Sequence, residues 1–556
     1  MPNPIRGMRS AVAMAGALCV ATTGLVATSA TAAPASAPVS APAPALAPAS
    51  APAPAPVVPN LSWQPCDDGF SCATAAVPLD YAHPTGATVR LAMIKHPATD
   101  PAHRIGSLFF NPGGPGGPGV TFLRGNYALF PPALRARFDM VSFDPRGIGQ
   151  STPLQCFDTI EQEQQLIGPT EAAGYPTTRA EQRAYEQTFA SFAAACATHA
   201  GPLLAHDSTA DVARDMDLMR QAVRDPTMNY LGISYGGYLG ATYANLFPTK
   251  VRAIALDANP DPVAWATGFG GSADVLGTFL REGSDQGSAA TLNAFLARCG
   301  QAAPSSCSFS AGTPAATRAK FDTLLDRLAR HPITVDGQTF TKPTTVDALI
   351  TLLYQAEPIP NLTTGWHQPA DVLQTLWGQA SGVAPGAAPP ILRDLARAGL
   401  AVTPYANAPY SGLESSYGVL CSDSPNPRSR GSYAVQADIA TARSGVVGPD
   451  WVWVTEPCAQ WPVLAADRYT GPWNRRTANP ILVVGNTVDP ATPYQGSIAM
   501  AHDLADARLL TVNGYGHTAL GNPSGCVNQI EDKYFVTGAL PPPGTVCQQD
   551  RAPFAG

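Results

Sequence analysis

Met228-Asn229-Tyr230-Leu231-Gly232-Ile233-Ser234-Tyr235-Gly236-Gly237 is the stretch whose reading decides the fold. An apolar run enters a G-x-S-x-G turn, and a small-residue helical pattern from Gly237 to Phe247 leaves it. The segment therefore reads as strand, sharp turn and helix with a serine at the apex. In a chain with 50 glycines the bare pattern is cheap, and the flanking strand and helix are what give it weight. Gly232 and Gly236 leave space where side chains would collide across a strained elbow. The helix that begins after Ser234 aims its first N–H groups at whatever binds there.

Outward from this turn, short apolar runs at Thr88 to Lys95, Ser107 to Asn111, Phe138 to Phe143 and Val251 to Asp257 read as strands. Ser208-Thr209-Ala210-Asp211 is a capping box that opens an amphipathic helix through Val212, Met216, Met219 and Val223. Strand and helix in alternation predict an α/β fold with a mostly parallel central sheet covered on both faces. The alternation lapses from about Asp261 to Trp473, where the chain is helical and loop-like. It resumes with a buried strand at Pro480 to Gly485, a helix at Tyr494 to Leu504 and a last strand at Arg508 to Val512. An insertion late in a parallel sheet predicts a largely helical cap lying over the carboxyl ends of the strands. The expected division is a first core part over 60–260, a cap over 261–475 and a second core part over 476–556.

A serine hydroxyl becomes a nucleophile only when a base takes its proton, and that base must be held in one tautomer by a carboxylate. On this kind of sheet the order is serine, acid, histidine, with the acid at the end of a late strand. The resumed strand runs into Gly485-Asn486-Thr487-Val488-Asp489-Pro490-Ala491-Thr492-Pro493, and the next into Asn513-Gly514-Tyr515-Gly516-His517-Thr518. Ser234, Asp489 and His517 are the candidate triad, all expected at the carboxyl edge of the sheet. The expected oxyanion donors are the backbone N–H of Tyr235, which follows the serine, and that of Gly114 in Asn111-Pro112-Gly113-Gly114-Pro115-Gly116-Gly117-Pro118-Gly119. A phosphate-cradling loop is excluded, because the lysine and spacing it requires are missing. Asp144-Pro145-Arg146-Gly147-Ile148-Gly149-Gln150-Ser151 reads as a turn locked by an Asp or Arg contact.

A formal net charge of -7 with no basic block argues against a nucleic-acid partner. Arg6 and Arg9 precede an apolar stretch from Ala11 to Val26, and Ala30-Thr31-Ala32 follows in the A-x-A pattern, so 1–33 reads as a secretory signal peptide. The Ala, Pro, Ser and Val run over 34–59 cannot form a core and reads as a propeptide or linker, with cell-wall association one use for it. No later stretch is apolar and long enough to span a bilayer. Ten cysteines remain beyond the signal, an even number that fits export and five disulfides. Nearest-neighbour pairing (Cys66–Cys72, Cys156–Cys196, Cys299–Cys307, Cys421–Cys458, Cys526–Cys547) is the expected connectivity. No C-x-x-C or H-x-x-x-H spacing supports a metal, and neither metal nor cofactor is expected.

With these segments in place the chain resembles the α/β-hydrolase peptidases of the prolyl iminopeptidase group, and most closely the secreted tripeptidyl aminopeptidases of actinobacteria. The likeness runs from Trp63 to Cys547 and rests on Asn111-Pro112-Gly113-Gly114-Pro115-Gly116, Asp144-Pro145-Arg146-Gly147, Gly232-Ile233-Ser234-Tyr235-Gly236-Gly237, Phe247-Pro248, Asp489-Pro490-Ala491-Thr492-Pro493, Gly516-His517-Thr518 and Gly544-Thr545-Val546-Cys547. It implies an α/β-hydrolase fold with Ser234 as nucleophile, Asp489 as orienting acid and His517 as general base and acid. The implied reaction is release of short peptides from a free N-terminus; a monomer is expected, although the sequence itself does not give the oligomeric state. Pro112 stands where the narrow prolyl iminopeptidases carry histidine, and Tyr235 where they often carry tryptophan, which favours the tripeptidyl branch. An exopeptidase of this kind needs an acceptor for the substrate ammonium. Glu456, Glu414 and Asp423, near Cys421 and Cys458, are the candidates, with Glu456 preferred. The competing readings are an esterase with the same triad and a non-catalytic wall-associated binding protein.

Overall fold

In the computed structural model, residues 54–67, 69–335, 337–359, 363–382 and 410–554 are described. The expected signal peptide and most of the Ala/Pro-rich stretch, 1–53, lie outside them. The strands in chain order are β1 (Gln64–Asp67), β2 (Phe70–Pro78), β3 (Thr88–His96), β4 (Gly106–Asn111), β5 (Phe138–Phe143), β6 (Met228–Ile233), β7 (Val251–Asp257), β8 (Ile333–Val335), β9 (Gln338–Phe340), β10 (Ile481–Val488), β11 (Ala507–Tyr515) and β12 (Val546–Gln548). Ten of them form one sheet in the order β1-β2-β3-β5-β4-β6-β7-β10-β11-β12, and β8 pairs with β9 in a separate hairpin. β1 through β3 and the β3–β5 edge pair antiparallel, and every pairing from β5 to β12 is parallel.

β4 and β6 are buried at every position, as central parallel strands covered on both faces must be. On one face lie the helices Thr209–Ala222, Tyr235–Leu246 and Tyr494–Asp503. On the other lie Gly119–Asn126, Pro132–Arg137 and Gly525–Thr537. The capping box at Ser208 is present: its side chain accepts from Asp211 N–H, and the Asp211 carboxylate accepts from Ser208 N–H. A parallel sheet places the carboxyl ends of β4, β6, β7, β10 and β11 along one edge, which is where the candidate residues fall.

Between β7 and β10 the described chain is helical apart from the β8–β9 hairpin, and it builds an apolar cluster of its own around Phe295, Phe321, Leu324, Trp366, Tyr433 and Trp453. A second insertion, not anticipated from sequence, lies between β5 and β6. Its helices Ile160–Ala173 and Arg179–His199 leave the sheet and join the cap. Tyr185 donates to Trp453 C=O at 2.8 Å, and the Cys156–Cys196 disulfide closes the segment. All ten cysteines beyond residue 53 pair, in nearest-neighbour order. No helix among the described residues is long and apolar enough to cross a membrane.

The Asp144–Ser151 turn is a buried clamp. Asp144 accepts from Val120 and Gln150 N–H, and burial pushes its carboxyl up to about 6 despite those donors. Arg146 is fully buried, binds the Asp215 carboxylate at 2.8 and 2.6 Å, and spends its other N–H groups on the carbonyls of Pro78, Leu79 and His206.

Candidate active site

Ser234 sits between β6 and the helix Tyr235–Leu246 with φ 59° and ψ -129°, a conformation a non-glycine residue holds only when its surroundings over-determine it. They do. Ser234 N–H donates to Asp257 C=O at 2.9 Å, and Gly237 N–H donates to Ser234 C=O at 2.8 Å. A Cβ on Gly232 would run into Gly236 C=O, and one on Gly236 would stand 2.7 Å from Asn111 C=O, so the elbow closes only with glycine at both places.

Asp489 and His517 meet on the loops after β10 and β11. His517 Nδ1 lies 3.0 and 2.9 Å from the two Asp489 oxygens, in a pair buried from solvent. Asp489 Oδ1 also accepts from Ala491 N–H at 2.8 Å and Thr492 N–H at 2.9 Å, and the Thr492 hydroxyl donates to Oδ2 at 3.3 Å. An acceptor-only carboxylate against Nδ1 places the proton there and leaves Nε2 as the basic nitrogen. Among the described residues Ser234 Oγ makes no hydrogen bond, with His517 or otherwise; such contacts tighten when substrate enters.

What joins serine and histidine here is Asp257, at the end of β7. Its backbone carbonyl holds Ser234 N–H, and its buried carboxylate accepts from Ala519 N–H at 2.8 Å and Leu520 N–H at 3.1 Å, just past His517. Burial raises this carboxyl to about 6 against those two bonds. The cap holds the histidine loop from the other side. His517 N–H donates to Tyr354 C=O at 2.7 Å, the Tyr354 ring meets the imidazole edge-on at 4.8 Å, and Asn522 bridges Tyr354 C=O, Ala356 N–H and His517 C=O.

The glycine-rich loop after β4 touches the elbow. A Cβ on Gly113 would lie 2.5 Å from Ile233 C=O and 3.1 Å from Tyr235 N, and Gly113 has φ 82°. Gly113 N–H is spent on Asn111 Oδ1 at 2.9 Å. The N–H groups of Gly114 and Tyr235, the expected oxyanion donors, make no hydrogen bond among the described residues.

The three cap carboxylates differ in ways sequence could not display. Glu414 accepts from Tyr410 Oη at 2.7 Å and Cys156 N–H at 2.9 Å and lies against the Glu163 carboxyl, which burial and that neighbour push up to about 8. Asp423 is taken up by Thr209, whose backbone N–H and hydroxyl both donate to it. Glu456 is fully buried and neither of its oxygens has a hydrogen-bond partner among the described residues. Burial pushes its carboxyl up to about 8.

Residues 106–300 match the family described as alpha/beta hydrolase fold, and residues 444–547 match the one described as TAP-like protein. The tripeptidyl aminopeptidase of Streptomyces coelicolor is 29% identical over 512 residues, 89% of this chain and 87% of that protein. The serine protease Hip1 of Mycobacterium tuberculosis is 30% identical over 517 residues, 88% of this chain and 91% of that protein. A protein named carboxylesterase B, also from Mycobacterium tuberculosis, is 32% identical over 519 residues, 88% of this chain and 90% of that protein.

Proposed function

We propose, from the premise that this chain belongs to the TAP-like α/β-hydrolases and is a serine hydrolase, that it is a secreted exopeptidase releasing short peptides, tripeptides in particular, from free N-termini. The observation that carries the chemistry is the buried Asp489–His517 pair on a loop that Asp257 stitches to the strained Ser234 elbow. His517 Nε2 takes the Ser234 proton as Oγ attacks the scissile carbonyl. Asp489 holds the Nδ1–H and stabilises the imidazolium that forms. The Tyr235 and Gly114 N–H groups receive the oxyanion, His517 returns its proton to the leaving amine, and water repeats the sequence on the acyl-enzyme.

Glu456 supports the free-amine requirement. A buried carboxyl without a partner is costly as an anion, so it rests protonated and becomes a strong acceptor once a cation arrives beside it. The five disulfides support an oxidising compartment. Chromogenic peptides of one to four residues, each with a free or acetylated N-terminus, test the reading, with Ser234→Ala as control. Free-amine tripeptides turn over, acetylated ones resist, and Glu456→Gln raises KM with kcat largely kept. The carboxylesterase relative favours a second reading, the same triad acting on small esters. Turnover of short acyl esters with every peptide inert would select it.

A further inference from the structure

Asp423 closes the helix Glu414–Asp423 in the cap, yet its carboxylate is bound to the core. Thr209 N–H donates to its two oxygens at 3.1 and 2.9 Å, and the Thr209 hydroxyl donates to Oδ2. The other side of Thr209 Oγ1 meets the Tyr235 hydroxyl. Thr209 has one hydroxyl proton, and it is committed to the carboxylate, so Tyr235 must be the donor in the second bond and the chain runs from Tyr235 through Thr209 to Asp423. All three residues are buried, and the Tyr235 ring is packed against Tyr238 and Trp265 at 6.1 and 5.7 Å. The helix carrying Asp423 is itself fixed at both ends. Its first turn lies against the oxyanion loop, where the Ser416 backbone would meet a Cβ on Gly116 at 3.1 Å, and its last turn is tied through Cys421 to Cys458.

Tyr235 is the residue whose peptide N–H receives the oxyanion in the proposed mechanism, and it stands one position after a backbone held at positive φ. Donors of this kind act by being in place before charge develops, and a misplacement of about 1 Å costs on the order of 100-fold in rate. We infer that Asp423 is a positioning residue: through Thr209 it holds the Tyr235 side chain, and with it the oxyanion N–H, so that the cap takes part in stabilising the transition state. The inference rests on the proposed roles of Ser234 and Tyr235. It gives Asp423 a different task from that of an ammonium acceptor.

The test compares Thr209→Val, which keeps shape and loses the hydroxyl, with Thr209→Ser, which keeps the hydroxyl, alongside Tyr235→Phe, Asp423→Asn and the Thr209→Val/Tyr235→Phe double variant. Each is measured for kcat and KM on a free-amine chromogenic tripeptide, for the second-order rate of Ser234 modification by a fluorophosphonate whose P=O oxygen enters the same donors, and for thermal midpoint. The expected result is a fall of about 10-fold or more in both kcat and labelling rate, with KM within about 3-fold. Thr209→Ser stays near wild type, and the double variant is no worse than the worse single one, because one chain has been cut twice. A raised KM with kcat kept in Asp423→Asn would overturn the inference in favour of an ammonium site. Unchanged labelling rates or additive losses would overturn it as well. Wild type that labels but cleaves no peptide refutes the peptide reading alone, since the labelling comparison still decides positioning; wild type that does not label removes the nucleophile and the inference with it.

Discussion

Asp489→Asn isolates the tautomer of His517. The replacement keeps the volume of the side chain, and its orientation is dictated by neighbours already in place: Ala491 and Thr492 N–H both point at Oδ1, so the amide oxygen must occupy that position and the NH2 group must take the place of Oδ2. Oδ2 lies 2.9 Å from His517 Nδ1 and Oδ1 lies 3.0 Å from it, so the amide nitrogen is brought within bonding distance of that ring nitrogen. An amide donor there makes Nδ1 the acceptor, moves the imidazole proton to Nε2 and removes the base that Ser234 needs. A wrong tautomer in an otherwise intact triad lowers kcat by about 10⁴, or roughly 5 kcal/mol of barrier. KM should hardly move, since no group that binds the remote part of a substrate is touched. Steady-state kinetics with a free-amine chromogenic tripeptide, together with fluorophosphonate labelling at matched thermal midpoint, measures this directly. A variant within about 10-fold of wild type in kcat would refute the reasoning, because it would mean that His517 does not depend on Asp489 for its protonation pattern.

Three further outcomes follow from the same geometry. Gly113→Ala places a methyl group 2.5 Å from Ile233 C=O at φ 82°, so kcat should fall by about 10² or more through displacement of the oxyanion loop; normal kinetics from this variant would mean the loop is not part of the site. Arg146→Met leaves the Asp215 carboxylate buried with Tyr81 as its remaining side-chain donor and should cost about 3–5 kcal/mol in chemical denaturation, with partial recovery in Arg146→Met/Asp215→Leu; a double variant no better than the single one would contradict an ion-pair origin. The carboxyls of Asp144, Asp257, Asp423 and Glu456 are raised to between about 6 and about 8, above their unfolded values. Their contribution to stability is therefore fully present below about pH 4 and is lost as pH rises through 6 to 8, so the thermal midpoint should be higher at pH 5 than at pH 8; the opposite order would overturn the burial argument.

The parallel sheet was legible from sequence because its strands are short, fully apolar runs bounded by turn residues, and β5, β6 and β7 begin and end where the pattern places them. Ser234, Asp489 and His517 stood out for the same reason, since each follows a strand and falls in one chain order. The residues that hold them in place were not legible. Asp257 looks like an ordinary strand end, Thr209 like a helix start, and Tyr354 and Asn522 like cap and loop residues with nothing in common. Their roles come from contacts between positions 168 to 262 apart in sequence, and no local pattern encodes such a meeting. The insertion between β5 and β6 was missed because helices there obey the alternation that a sheet-covering helix would also obey. Glu456 and Asp423 carry the same charge near paired cysteines, and only the positions of their neighbours separate an unpartnered carboxyl from a fully engaged one.

The cap is attached to the candidate site at its two chemically distinct ends. Tyr354 and Ala356 are bonded to the histidine loop through His517 N–H and Asn522. The helix Glu414–Asp423 rests on the oxyanion loop at Ser416 and reaches Tyr235 through Thr209. A lid that swung away as a body would break both sets of bonds and uncover His517 and the proposed oxyanion donors together, leaving buried carbonyl and carboxylate acceptors unpaired. The cap is better read as a fixed wall in which His517 and the proposed oxyanion donors are seated. Removing it should then abolish fluorophosphonate labelling as well as peptide selectivity, because the chemistry and the selection of substrate share the same supports. A cap-deleted core that folds and labels at the wild-type rate would show instead that the sheet alone positions the site, and that Tyr354, Asn522 and Asp423 are packing contacts.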